Sequence, residues 1–265
     1  MKRTVGAPAA LLAALFSGSV LTPAQAQTAQ ASTPACAAPG ELARLDQPLS
    51  RTALGLVTGE PVVIVAIGSS STAGAGASSP AMSYPSRLEA ELRMRFPGRP
   101  ITVLNRGANG EDARQMLDRF DAAVIAEKPD LVLWQVGTNA VLRDHSLAGE
   151  ASLIREGIAR LRAAHADVVI IDSQYAPKVL AKPHAQAMVE LIRATAQAAG
   201  VSVFRRWDIM RKWHEVDGVP FEALLAPDGL HMNDWSYGCV AKLLAGAIAD
   251  AVRSPAMARM PARRP

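Results

Sequence analysis

Five short apolar runs, at residues 62–67, 101–104, 131–136, 168–171 and 201–204, recur along the chain with stretches of helical spacing between them. The runs are rich in Val, Ile and Leu and lack polar alternation, so each reads as a strand covered on both faces. Helices are expected at 84–96, with Leu88, Leu92 and Phe96 on one face, and at 112–127, with Met116, Phe120, Ala123 and Val124. Three more are expected at 147–164, 183–199 and 236–252. Pro97-Gly98, Lys128-Pro129, Gly200 and Pro255 stand where four of these should stop. Strands joined through helices run parallel, and right-handed crossovers place the helices on both faces of the sheet. The predicted fold class is therefore α/β: a three-layer α/β/α sandwich around a five-stranded parallel sheet.

The first residues point to export. Lys2 and Arg3 precede an apolar region at 9–21, and Pro23-Ala-Gln-Ala26 has the small-x-small form of a signal-peptidase site. Residues 1–26 are thus expected to be a signal peptide, and the mature protein periplasmic or secreted. The apolar region is interrupted by Ser17, Gly18 and Ser19 and falls short of the ~20 apolar residues of a spanning helix. Cys36 lies too far beyond it for a lipid anchor. Residues 27–58 read as a leader and edge segment with weak helical spacing over 41–56. Residues 59–254 read as one domain, and 255–265 as a disordered Pro/Arg tail.

The formal net charge of +4 would suggest a nucleic-acid partner if it belonged to the domain. It does not. Lys2, Arg3, Arg259, Arg263 and Arg264 all lie in terminal segments without acids, and the remainder carries about −1. Of the two cysteines, Cys36 and Cys239, export would allow a disulfide, with two free thiols as the alternative. No His or Cys cluster has metal-ligand spacing, so no metal is expected.

Parallel sheets bind ligands beyond the carboxyl ends of their strands. Three loops follow the first three strands there: Gly68-Ser-Ser-Ser-Thr72, Asn105-Arg-Gly-Ala-Asn-Gly110 and Gly137-Thr-Asn139. A fourth, Asp228-Gly-Leu-His231, precedes the last helix. A serine nucleophile needs a base, a group that orients the base, and donors aimed at the developing oxyanion. His231 can be the base and Asp228 its orienter. Gly107 can offer its N–H, Asn139 its amide, and the nucleophile its own N–H.

These four loops, in this order, resemble the four sequence blocks of the SGNH (GDSL) hydrolase family over roughly residues 61–252. The resemblance implies Ser70 as nucleophile, Asp228 and His231 as its partners, and Ser70, Gly107 and Asn139 as oxyanion-hole donors. It also implies a flavodoxin-like strand order and no metal or organic cofactor. The chain departs from the family pattern where Ser69 replaces Asp before the nucleophile and Ala140 replaces Asp after Gly-Thr-Asn. Loss of two carboxylates would favour negatively charged substrates, mark the paired loss of a structural contact, or reflect drift within a subfamily. Ser69 and Ser71 should point away from Ser70 if the backbone stays extended. The α/β-hydrolase elbow Gly-x-Ser-x-Gly fits less well, because Thr72 holds the final Gly position.

Ser69, Ala140, Gln174, Asn233 and Trp235 are candidates to line the substrate pocket, with Asp172, Ser173 and Tyr175 beside Gln174 as pocket or strand-end cap. Trp207, Trp213 and Trp235 read as packing, or as sugar-stacking surfaces in an exported esterase. His145, His165, His184 and His214 read as surface or capping residues, and residues 207–221 as a lid or pocket wall. The expected activity is serine ester hydrolysis on short acyl groups, such as acetyl on carbohydrate, with a small-molecule or glycan ester as partner. An acyltransferase on an envelope glycan and a non-catalytic glycan-binding module are the alternatives.

Overall fold

The computed structural model describes residues 35–253 together with Met1, Lys2, Thr4 and Gly6. The chain divides into two compact units, residues 1–34 and 35–265, and the sheet and its helices belong to the second. The expected signal peptide and residues 255–265 lie outside the described residues, apart from those four N-terminal positions.

Five strands form one parallel sheet: β1 (Val62–Gly68), β2 (Ile101–Gly107), β3 (Leu131–Gln135), β4 (Asp167–Ile171) and β5 (Ser202–Phe204). Their order is β2-β1-β3-β4-β5, the doubly wound arrangement that the resemblance implied. The central β3 is buried at every position and β1 at all but Val63, as their uninterrupted apolar runs require. Edge strand β2 is mixed, with Ile101 and Val103 buried and Thr102 exposed. It runs three residues past the expected end. Main-chain pairing to β1 continues to Gly68↔Gly107 whatever the side chains of Asn105 and Arg106.

The helices are α1 (Ser50–Thr58), α2 (Ser70–Ala73), α3 (Tyr84–Arg95), α4 (Ala113–Asp118), α5 (Phe120–Ala123) and α6 (Thr138–Leu142), followed by α7 (Leu147–Ala163) and α8 (Pro177–Leu180). The last four are α9 (Ala185–Ala198), α10 (Arg206–Arg211), α11 (Phe221–Leu224) and α12 (Asp234–Val252). One flanking group packs α3 and α1 on α12, and the other packs α7 on α4 and α9. The single helix expected over 112–127 is broken into α4, α5 and a short 3-10 turn. The break falls at Arg119, whose Nε reaches both carboxylate oxygens of Glu111 and whose Nη2 donates to the Arg106 carbonyl at 2.7 Å. Those bonds hold the loop after β2 at the cost of helix continuity.

The 35–58 segment is tied to the domain. Cys36 is joined to Cys239 on α12 by a disulfide, with Cα atoms 5.3 Å apart, and Leu45 and Leu49 enter the core. Trp213 is fully buried and donates its Nε1–H to the Ala37 carbonyl at 2.8 Å. Residues 207–221 are therefore divided: 207–210, Trp213 and Val219 are buried, whereas Arg211, 215–218 and Pro220 are exposed. Only part of them forms a wall, where Trp207, Arg211 and Glu215 border a cavity of about 330 Å³ with Tyr175, Lys182 and Pro183.

Candidate active site

The nucleophile turn starts where β1 ends. Ser69 is still extended (φ −90°, ψ −152°), and the chain enters α2 at Ser70. Ser69 and Ser71 do turn inward, but through this helical turn and not through strand alternation. Ser69 is 1% exposed, and its N–H and Oγ–H each donate to Gln135 Oε1 at 3.0 Å. Ser71 is equally buried and donates to Gln174 Oε1 at 3.2 Å. Of the three serines only Ser70 is partly exposed, and its Oγ lies 2.8 Å from His231 Nε2.

His231 is held by a tight loop closed by the antiparallel bridge Leu225↔Met232 and by Ala226 N–H donating to the His231 carbonyl at 2.8 Å. Asp228 organises the turn from inside. Its Oδ1 accepts from the N–H groups of Leu230 (2.9 Å) and His231 (3.0 Å), while Oδ2 meets His231 Nδ1 at 2.5 Å. Partial burial pushes the Asp228 carboxyl up, but the His231 imidazole and these two N–H groups outweigh it and hold it at about 2. At neutral pH Asp228 is thus an acceptor only, so Nδ1 carries the imidazole proton and Nε2 presents its lone pair to Ser70.

The segment after α2 is clamped against this loop. Gly76 (φ +87°) comes so close that a Cβ there would lie 2.5 Å from the Met232 carbonyl and 2.9 Å from His231 Cβ. Asp234 accepts from Ser78 N–H (2.8 Å) and Oγ–H (2.6 Å), and Tyr237 donates to the Ala75 carbonyl at 2.6 Å. Neither Gly76 nor these clamps stand out in the sequence.

The proposed oxyanion donors flank the turn, though two already have partners. Gly107 N–H donates to Asn105 Oδ1 at 2.9 Å, and Asn139 Nδ2 donates to the Glu111 carbonyl at 2.8 Å. The Asn139 amide retains a second N–H, and Ser70 N–H opens a helical turn, where the first amides lack intrahelical acceptors. Gly107 has a packing role as well. A Cβ there would lie 2.1 Å from Ala73 N, so glycine alone lets β2 touch the nucleophile turn.

Three of the pocket candidates lie beneath the site and do not line it. Ser69 and Ala140 are each 1% exposed. Ser69 must donate to Gln135 Oε1, which an ionised Asp could not do, so the departure from Asp is a change of buried partner. Gln174 is also buried, its oxygen accepting from Ser71, Thr138 and Arg206. Asn233 caps α12, accepting from Ser236 N–H and donating to the Ala223 carbonyl. Trp235 is partly buried edge-on to Trp213, ring centroids 5.0 Å apart. Asp172 is fully buried, bonded to Arg193 and to the Trp207 N–H.

The histidines outside the triad divide in two. His165 and His184 are exposed, whereas His145 meets the buried Glu150 at 3.2 Å and His214 stacks on Phe221. Sequence reading passed over Gln135 and Arg206. The one signal for Gln135 is a polar residue closing an otherwise apolar strand. Among the described residues no group of three or more His, Cys, Asp or Glu side chains could hold a metal ion, and no helix is long and apolar enough to cross a membrane.

The model of the non-GDSL lipase-like family matches residues 35–254. No curated protein matches the sequence. Among solved structures, the fold is similar to a two-domain esterase active on acetylated mannans (TM-score 0.68, 18% identity, 85% of this chain and 60% of that one). It is also similar to a lipase/acylhydrolase from Enterococcus faecalis (0.62, 22%, 71% and 95%) and to an acetylxylan esterase from Geobacillus stearothermophilus (0.59, 20%, 71% and 94%).

Proposed function

The chain belongs to the non-GDSL lipase-like family, which puts it among the carboxylic-ester hydrolases, and from that premise we propose an exported serine esterase acting on short acyl esters of carbohydrates. The observation that carries the reading is the continuous chain Ser70 Oγ, His231 Nε2, His231 Nδ1, Asp228 Oδ2 at the carboxyl edge of the sheet.

Ser70 Oγ attacks the acyl carbonyl as its proton passes to His231 Nε2, and Asp228 stabilises the imidazolium that forms. The carbonyl oxygen becomes an oxyanion facing Ser70 N–H, the second Asn139 N–H, and Gly107 N–H once Asn105 yields it. Collapse of the tetrahedral adduct breaks the ester C–O bond, and His231 returns the proton to the leaving alcohol. Water then repeats the sequence on the acyl-enzyme, restoring Ser70 and releasing the acid.

The disulfide supports export, because such bonds persist outside the cytosol. Two of the similar structures, the esterase active on acetylated mannans and the acetylxylan esterase, make acetylated polysaccharides the first substrates to test. Acetate release from acetylated manno- and xylo-oligosaccharides, beside p-nitrophenyl acetate and butyrate, is the assay. The reading expects acetate release that a Ser70→Ala variant lacks. Transfer of the acetyl group to a sugar acceptor instead of water would replace it with an acyltransferase.

A further inference from the structure

We propose that Gln174, held by the buried Arg206, is a positioning residue that sets the nucleophile, base and oxyanion loops relative to one another; this rests on the esterase reading above. Gln174 follows β4 and is 1% exposed. Its Oε1 accepts from Ser71 Oγ (3.2 Å), Thr138 Oγ1 (3.0 Å) and Arg206 Nη2 (2.9 Å), and its Nε2 donates to the Leu230 carbonyl at 3.4 Å. Ser71 adjoins Ser70, Thr138 adjoins Asn139, and Leu230 adjoins His231. One side chain therefore contacts the chain neighbours of the nucleophile Ser70, the base His231 and the oxyanion donor Asn139. Lys178 N–H, four residues on, adds a bond to the Gly229 carbonyl at 3.3 Å.

Arg206 explains how the amide is held. It is fully buried, and its Nε donates to the Asp172 carbonyl at 3.0 Å while Nη2 donates to Gln174. Guanidinium nitrogens only donate, which fixes the oxygen end of Gln174 toward Arg206, and the planar fork references that oxygen to the end of β4. Burying a cation is expensive, and Nη1 has no hydrogen-bond partner among the described residues. The buried Asp172 carboxylate offsets part of that cost, and the fork is what this position supplies to Gln174. Gln135 does a more local task, since its Oε1 accepts from Ser69 and Thr72 within the nucleophile turn.

Gln174→Ala would strand three buried donors and endanger folding, so Thr138 carries the kinetic test. Thr138→Val removes one bond to Gln174 while keeping shape, and Thr138→Ser restores the hydroxyl. On folded protein, T138V should lower kcat for p-nitrophenyl acetate roughly tenfold with KM within about twofold, and T138S should recover it. Gln174→Glu keeps the accepting oxygens but loses the donor toward Leu230. It should broaden or abolish the low-field proton NMR signal of His231 Nδ1–H, because the loop that carries His231 loses a tether. A purely structural Gln174 would shift thermal stability and leave kcat in T138V and the proton signal in Q174E unchanged, which would overturn the assignment. Failure of the esterase reading has a separate signature, wild-type turnover equal to that of S70A. The proton signal still decides the positioning role in that case.

Discussion

Replacing Asp228 by Asn separates orientation from folding. Asp228 Oδ1 accepts from two backbone N–H groups, at 2.9 and 3.0 Å, so the oxygen of the introduced amide would have to stay there. Its NH₂ would then face His231 Nδ1, turning that nitrogen into an acceptor and moving the imidazole proton to Nε2. At 2.8 Å from Ser70 Oγ, Nε2 would become a donor, and the base would be gone. The expected loss in kcat is about 10³- to 10⁴-fold. The stability cost is far smaller. A carboxyl moved from 3.8 to about 2 corresponds to about 2.4 kcal/mol at full value. Asp228 is 41% exposed, and screening by solvent brings this down to about 1 kcal/mol, or about 2–4 °C in Tm. Because the folded-state value is depressed, this stabilisation is complete above about pH 3.8 and is lost as pH falls through about 2. The Tm gap between wild type and Asp228→Asn should close toward pH 2. Turnover of p-nitrophenyl acetate and calorimetry on the same samples are the assays. A variant within tenfold of wild-type kcat would show that Asp228 does not set the imidazole proton, and a loss of more than about 10 °C that the loop depends on its charge.

Gly107→Ala places a Cβ 2.1 Å from Ala73 N and 2.6 Å from the Thr72 carbonyl carbon, both backbone. It should cost about 3 kcal/mol or more in thermal unfolding, and wild-type stability would contradict the packing described. Ser69→Asp, which restores the family residue, sets a carboxylate against Gln135 Oε1 in a site that is 1% exposed. It should destabilise by roughly 2–4 kcal/mol without changing the preference between acetyl and succinyl esters; an altered preference would return Ser69 to the substrate pocket. Cys36→Ser opens a link across 203 residues and should lower stability by about 2–4 kcal/mol, or roughly 5–15 °C in Tm, with no change in Tm contradicting it.

The layers were legible because β1 and β3 are central, and strands covered on both faces leave unbroken apolar runs. Where the sequence was misleading, hydrogen bonds outweighed patterning. Strand β2 continues through Asn105 and Arg106 on main-chain pairing, and the helix expected over 112–127 breaks because Arg119 serves Glu111 and the Arg106 carbonyl. In the site, Ser70, Asp228 and His231 were legible from local spacing and strand-end position. The Asn105 bond to Gly107 is equally local, an i to i+2 side-chain turn, and could have been anticipated. Gln174 could not, because its role depends on partners 103, 36, 32 and 56 residues away in the chain. A buried amide beneath the site and a pocket-lining amide look the same in sequence.

Everything proposed for the site depends on Ser70 being the nucleophile of an ester hydrolase. Labelling with a fluorophosphonate, read by intact mass and located by peptide mapping in wild type and Ser70→Ala, tests it most directly. One adduct, on Ser70, is expected to appear as p-nitrophenyl acetate turnover is lost, with no adduct in the variant. An adduct on another residue, or folded wild-type protein that neither labels nor turns over, would contradict it.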